Sequence, residues 1–152
     1  MNQQIKYVHT NLIANDWKKL AEFYIHVFGC KPVYPERHLS GEWIENLTKI
    51  NDVEMNGIHL QLPGYTDNGP TLEIFEYNKK SNIQIHQINN FGFSHIAFHV
   101  DNVEEMVATV IENGGQKYGE LVKTEIAGVG TLTAIYVQDI EGNIVELQNW
   151  EK

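Results

Sequence analysis

A single cysteine, Cys30, stands in the 152 residues of this chain. An internal disulfide is therefore excluded, and the chain suits a reducing compartment. Basic residues are also scarce. Eleven lysines and arginines face 20 aspartates and glutamates, giving a net charge of −9 with histidine neutral. DNA and RNA are gripped through a basic surface, and anionic lipid attracts clustered cations. Neither nucleic acid nor a membrane is an expected partner. No run approaches 18 apolar residues, and the opening MNQQIKYVHTN lacks the apolar stretch of a secretion signal. The cytoplasm is the expected location. Low-complexity segments and evident linkers are missing as well.

Apolar residues make up 42% of the chain and aromatic residues 11%, which is enough for a folded core at this length. The informative feature is an internal repeat. The segment from His9, HTNLIANDWKKLAEFYIHVFGC, aligns without a gap on the segment from His95, HIAFHVDNVEEMVATVIENGGQ. His9 falls on His95, Asn15-Asp16 on Asp101-Asn102, and Gly29 on Gly115. Each copy reads as a strand, around Val8 to Ile13 and Phe93 to Val100, followed by a helix. Trp17, Leu20, Tyr24, Val27 and Phe28 form the apolar stripe of the first helix. Val103, Met106, Val107, Val110 and Ile111 form that of the second. Asn102 and Glu105 have capping-box spacing, and Gly29 and Asn113-Gly114-Gly115 are stop signals.

A strand pair follows each helix. Ile58 to Leu62 and Thr71 to Tyr77 flank the turn-rich PGYTDNGP. Thr131 to Gln138 and Asn143 to Gln148 flank Asp139-Ile140-Glu141-Gly142. TLEIFEY on IVELQNW places Glu73 on Glu146. The span from His9 to Glu73 is thirteen residues longer than that from His95 to Glu146, an excess assigned to the polar stretch Pro35 to Met55. The expected class is α+β, with two βαβββ modules over about residues 5–78 and 91–150 of one domain, 1–152.

Four residues thus occupy repeat-equivalent places: His9, Glu73, His95 and Glu146. Strand alternation puts Ile96, Phe98 and Val100 toward the helix and His95, Ala97 and His99 on the other face. His9 and Asn11 face away from the helix in the same manner. Glu73 lies between Leu72 and Ile74, and Glu146 between Val145 and Leu147. An unpaired carboxylate in such a strand is costly to bury. A divalent cation would neutralise both carboxylates and accept both imidazoles. Two nitrogens and two oxygens suit Ni, Co, Zn, Mn or Fe, with water completing the shell.

The pieces YVHTNL, TLEIF, GFSHIAF, DNVEEMVATVIENGG and YVQDIEGNIVELQ make the chain similar to the vicinal oxygen chelate superfamily. This is the superfamily of glyoxalases, bleomycin-resistance proteins and dioxygenases, and the chain most resembles its glyoxalase I-type members. The resemblance implies curled mixed sheets around a metal cleft and assigns His9, Glu73, His95 and Glu146 as the metal ligands. It also implies a homodimer. In such dimers the two ligand pairs come from one chain or from two.

The remaining site expectations concern substrate. His59 and Gln61 alternate with Ile58, Leu60 and Leu62, so they face the first module's cleft or a plain polar sheet face. Tyr136 lies beside Glu146. Arg37, the one arginine, suits an anionic substrate tail. His99 reads as peripheral, and His26, His38 and His86 as solvated residues of helix or loop. The loop Pro35 to Met55 and the segment Asn78 to Asn90 would set substrate choice. The expected function is that of a metal-dependent lyase or isomerase, lactoylglutathione lyase-like, acting on a small molecule with vicinal oxygens. One such molecule is the hemithioacetal of a 2-oxoaldehyde and a thiol. Glu73 or Glu146 would serve as the catalytic base. The alternatives are an epimerase resembling methylmalonyl-CoA epimerase, another enzyme of the superfamily, and a metal-free protein that sequesters a drug or metabolite.

Overall fold

The computed structural model describes residues 3–81 and 85–152, so the middle of the segment Asn78 to Asn90 lies outside the described residues. The chain divides into two compact units, residues 1–82 and 83–152. In the first, the elements run β1 (His9–Ile13), α1 (Trp17–Phe28), β2 (Lys31–Ser40), α2 (Glu42–Thr48), β3 (Glu54–Gln61) and β4 (Thr71–Tyr77). The sheet order is β1-β4-β3-β2, with β1 parallel to β4 and the other pairs antiparallel. In the second, β5 (His95–His99), α3 (Val103–Glu112), β6 (Gln116–Lys117), β7 (Val122–Ile126), β8 (Gly130–Gln138) and β9 (Ile144–Glu151) build a sheet of order β5-β9-β8-β6. There β7 also pairs with β8. The class is α+β, and each sheet is mixed and built on the βαβββ plan.

Local chemistry explains the helices. The Asp16 carboxylate accepts the Lys19 N–H at 3.1 Å and caps α1, and Gly29 at φ 69° closes it in the left-handed conformation. The Asn102 side chain accepts the Glu105 N–H at 3.1 Å and caps α3. The stripe Leu20, Tyr24, Val27 and Phe28 is buried, as are Ile58, Leu60, Leu72 and Ile74 on the strands that α1 packs against. In the second unit, Val103, Val107 and Val110 of α3 are buried, and so are Ile135, Val137, Val145 and Leu147 of β8 and β9, which α3 packs against. Burial of these faces is the main favourable term, and the opposite face carries the polar residues His9, His59 and Glu73 in the first sheet, beside buried Met55 and Phe75, and His95 and Glu146 in the second.

Two features break the symmetry. The excess in the first unit is a helix, α2, rather than a plain polar loop. Ile44 on α2 joins Val53, Met55 and Phe75 in a small buried cluster edged by Leu39, Ile50 and Tyr77. The single long edge strand β2 is matched in the second unit by two short ones, β6 and β7, set end to end along β8. No helix among the described residues is long and apolar enough to cross a membrane.

Candidate metal centre

The interior strands β4 and β9 carry the two glutamates. On β4, Thr71 is paired with His9 of β1, and Glu73 stands two residues further along. On β9, Ile144 is paired with His95 of β5, and Glu146 again stands two residues further along. Equal register therefore produces the same diagonal His–Glu pair in both units. Nε2 of His9 is 3.6 Å from Oε2 of Glu73, and Nε2 of His95 is 3.1 Å from Oε2 of Glu146. The glutamate side chains retain only 13% and 18% exposure, so each carboxylate needs polar partners within the protein, and the facing imidazole is one of them.

Neighbouring polar groups fix the orientation of these side chains. The Asn11 amide donates to Oε1 of Glu73 at 2.7 Å, leaving Oε2 for the imidazoles. Ser94 Oγ lies 3.0 Å from Nδ1 of His95 and directs its Nε2 to Glu146. Imidazole ligands are usually held this way, with the second ring nitrogen engaged elsewhere. The donor set fits a divalent cation: imidazole nitrogens beside carboxylates that are mostly withdrawn from water, with Asn11 holding Glu73 and Ser94 holding His95. Cys30 offers nothing to it, since burial pushes its thiol up to about 11 and keeps it protonated.

The other residues singled out in the sequence are distributed over the two sheets. The Tyr136 ring lies edge-on to His95 with centroids 4.9 Å apart, and the residue is paired across the ladder with Glu146. Gln61 is paired with Thr71, at the opposite end of β3 from Met55. Arg37 sits on β2 where the register shifts after Val33, paired with Gly57, and its guanidinium donates to the Pro35 carbonyl. Arg37, Gly57 and His59 share one face of the sheet, and the guanidinium is close enough for His59 to feel its charge. His38 belongs to β2 rather than to a loop, and its Nδ1 is 2.6 Å from Oδ1 of Asn56.

His59 is closer to the first pair than alternation alone revealed. It is directly opposite Glu73 in the β3–β4 ladder, with Nε2 3.0 Å from the same Oε2 that His9 faces. Ligand atoms of His9, His59 and Glu73 all lie within 4.8 Å of one another. Burial holds the His59 imidazole below the ordinary histidine value. Arg37 and His9 act in the same direction, and the Glu73 carboxylate opposes them. The signal for this contact is cross-strand register, which a repeat alignment does not contain.

Residues 6–147 match the Glyoxalase/Bleomycin resistance protein/Dioxygenase superfamily, and the chain belongs to that family. No curated protein matches the chain by sequence. Its fold is similar to that of the glyoxalase family protein from Bacillus cereus, at 17% identity and a TM-score of 0.83 over 99% of this chain and 97% of that one. It is similar too to the fosfomycin resistance protein FosX from Listeria monocytogenes, at 18% identity and a TM-score of 0.60 over 99% and 96% of the two chains. FosX has also been solved in complex with Mn(II) and sulfate; that structure is 17% identical, with a TM-score of 0.59 over 99% of this chain and 95% of that one. Likeness at these identities establishes the fold.

Proposed function

We propose that the chain is a divalent-metal-dependent lyase or isomerase whose cation is held by His9, Glu73, His95 and Glu146. The observation that carries this reading is the diagonal His–Glu pair, repeated at the same register in both units. A hydrogen-bonded histidine on a strand is commonplace; two copies of one donor pair, each oriented by an outer polar partner, are what a shared ligand requires. Ni, Co, Zn, Mn and Fe all suit nitrogen and oxygen donors, and FosX with Mn(II) shows a divalent ion on this fold. When bound, the cation supplies Lewis-acid polarisation of two adjacent substrate oxygens.

The protein's own groups do the rest. The substrate class is a small molecule with vicinal oxygens, represented by the hemithioacetal of a 2-oxoaldehyde and a thiol. Glu73 or Glu146 takes the proton from one carbon and returns it to its neighbour, converting the hemithioacetal into a 2-hydroxy thioester with no change in composition. Arg37 grips an anionic group on the substrate, Tyr136 lines the His95–Glu146 pair, and His59 and Gln61 line the His9–Glu73 pair. The whole chain acts as one domain, as a homodimer in the cytoplasm.

The test is thioester formation from methylglyoxal with glutathione, and with other low-molecular-weight thiols, by protein loaded in turn with each of the five metals. Turnover abolished in Glu146→Gln and Glu73→Gln variants is the expected result; a fully metal-loaded protein inert with every thiol refutes the reaction. Elemental analysis of protein purified without added metal separates this from sequestration, because a binding protein needs no stoichiometric metal.

A further inference from the structure

Side by side, the two units are unequal at one position. The residue opposite the glutamate across the antiparallel ladder is His59 in the first unit and Tyr136 in the second. The first unit therefore assembles three imidazole and carboxylate donors where the second assembles two. We infer that His59 is a metal ligand in its own right, so that His9, His59 and Glu73 hold a divalent cation without any donor from the second unit. This inference rests on the metal-dependent reading above and adds to it a ligand that the internal repeat does not supply.

Geometry supports a ligand more than a spectator. Donors about 2.1 Å from one ion stand about 3 to 3.4 Å apart when they are neighbours in its shell. His59 Nε2 and Glu73 Oε2 are 3.0 Å apart, within that range, and His9 Nε2 and the same oxygen are 3.6 Å apart, a little beyond it. The two rings meet at 83° with centroids 5.8 Å apart, so neither is stacked on the other and both present an edge to Glu73. A carboxylate oxygen has room for two N–H donors, so the convergence of both imidazoles on it suits a shared cation or a pair of hydrogen bonds, and the position of the ring protons separates the two. Three outer contacts complete the arrangement. Asn11 occupies Oε1 of Glu73. Thr71 Oγ1 lies 3.3 Å from Nδ1 of His59, the nitrogen that points away from the cluster. Phe75 closes the apolar side, its ring edge-on to His59 with centroids 5.9 Å apart. Two imidazoles and one carboxylate form a donor set that first-row divalent ions accept, with the remaining positions open to water or substrate.

The chemistry differs from a hydrogen-bonded triad in one atom. As a ligand, His59 carries its proton on Nδ1 and none on Nε2; as a hydrogen-bond donor to Glu73 it keeps the proton on Nε2. Long-range proton–nitrogen NMR of the full chain, with and without one equivalent of Zn²⁺, reads this directly. The expected result is that Nε2 of both His9 and His59 moves to the metal-bound position. A Zn²⁺-saturated chain in which His59 retains its Nε2 proton overturns the inference.

Calorimetric titration of Zn²⁺ and Co²⁺ into the full-length His95→Ala/Glu146→Ala variant gives an independent reading. One equivalent should still bind, and adding His59→Gln, which preserves size and polarity, should weaken it at least tenfold. Uptake indifferent to His59 overturns the inference, as does loss of all binding in the double variant. The catalytic proposal fails differently, through a metal-loaded wild-type chain that turns nothing over.

Discussion

Asp139 is a buried acidic residue, 3% exposed, whose side chain ties together the turn between β8 and β9. One carboxylate oxygen accepts the backbone N–H of Glu141 at 2.9 Å and of Asn143 at 3.0 Å, and the other accepts the Asn143 side-chain amide at 2.8 Å. Its backbone closes the same turn, with N–H donating to the Asn143 carbonyl at 3.0 Å and C=O accepting from Gly142 at 3.1 Å. An Asp139→Ala substitution leaves two backbone donors and one amide without their acceptor. Each orphaned group costs about 1–3 kcal/mol when dry. These sit at the partly open rim of a turn, so the low end applies, and the total is about 3 kcal/mol. For a chain of this size that corresponds to a melting point lower by about 6–12 °C. Asp139→Asn keeps an acceptor for the backbone donors and should lose about a third as much. Thermal and urea unfolding followed by circular dichroism measure both. An alanine variant within about 0.5 kcal/mol of the parent would show that the turn is held by its backbone alone, and that the β8–β9 register placing Tyr136 beside Glu146 has another origin.

Three further outcomes are expected. Gly57→Ala introduces a Cβ that collides with the Ile74 carbonyl and the Phe75 ring, so it should cost about 1–3 kcal/mol. An unchanged urea midpoint refutes that. In metal-free protein His59 has a lowered folded-state value, so below the ordinary histidine value of about 6.5 the unfolded chain binds a proton that the folded chain resists. Stability should therefore fall as pH drops through that region, and the His59→Gln variant should show a shallower fall across pH 7 to 5; identical slopes refute the assignment. Asn11→Ala removes the donor to Oε1 of Glu73 and should weaken Zn²⁺ or Ni²⁺ binding about tenfold with little loss of stability. Unaltered affinity by calorimetry would show that the amide does not orient the carboxylate.

Much of the fold was legible because its determinants are local. Helix stripes and caps are written within a dozen residues, and α1 and α3 begin at Asp16 and Asn102 as the caps require. The glutamates stood out because a charge between Leu72 and Ile74, or between Val145 and Leu147, needs a reason. The helix α2 was not legible. Its N-cap, Gly41, supplies no side-chain hydrogen bond, only Ile44 of its seven residues is buried, and its stability comes from packing on Val53, Met55 and Phe75. Short helices with such tertiary support leave little local trace. His38 hid for a related reason. A ten-residue edge strand interrupted by a register shift between Val33 and Arg37 does not alternate cleanly.

His59 marks a deeper limit of reading by symmetry. Aligning the two halves finds what they share, and it therefore finds His9 with His95 and Glu73 with Glu146. A group present in one half alone is invisible to that comparison. The position opposite the glutamate carries an imidazole in one unit and a phenol in the other, a difference that strand register exposes and sequence alignment discards. A donor outside the repeat can stand only where the halves disagree, and the unequal pair His59 and Tyr136 is such a place: an imidazole is a ready neutral ligand for a cation, and a phenol is a poor one.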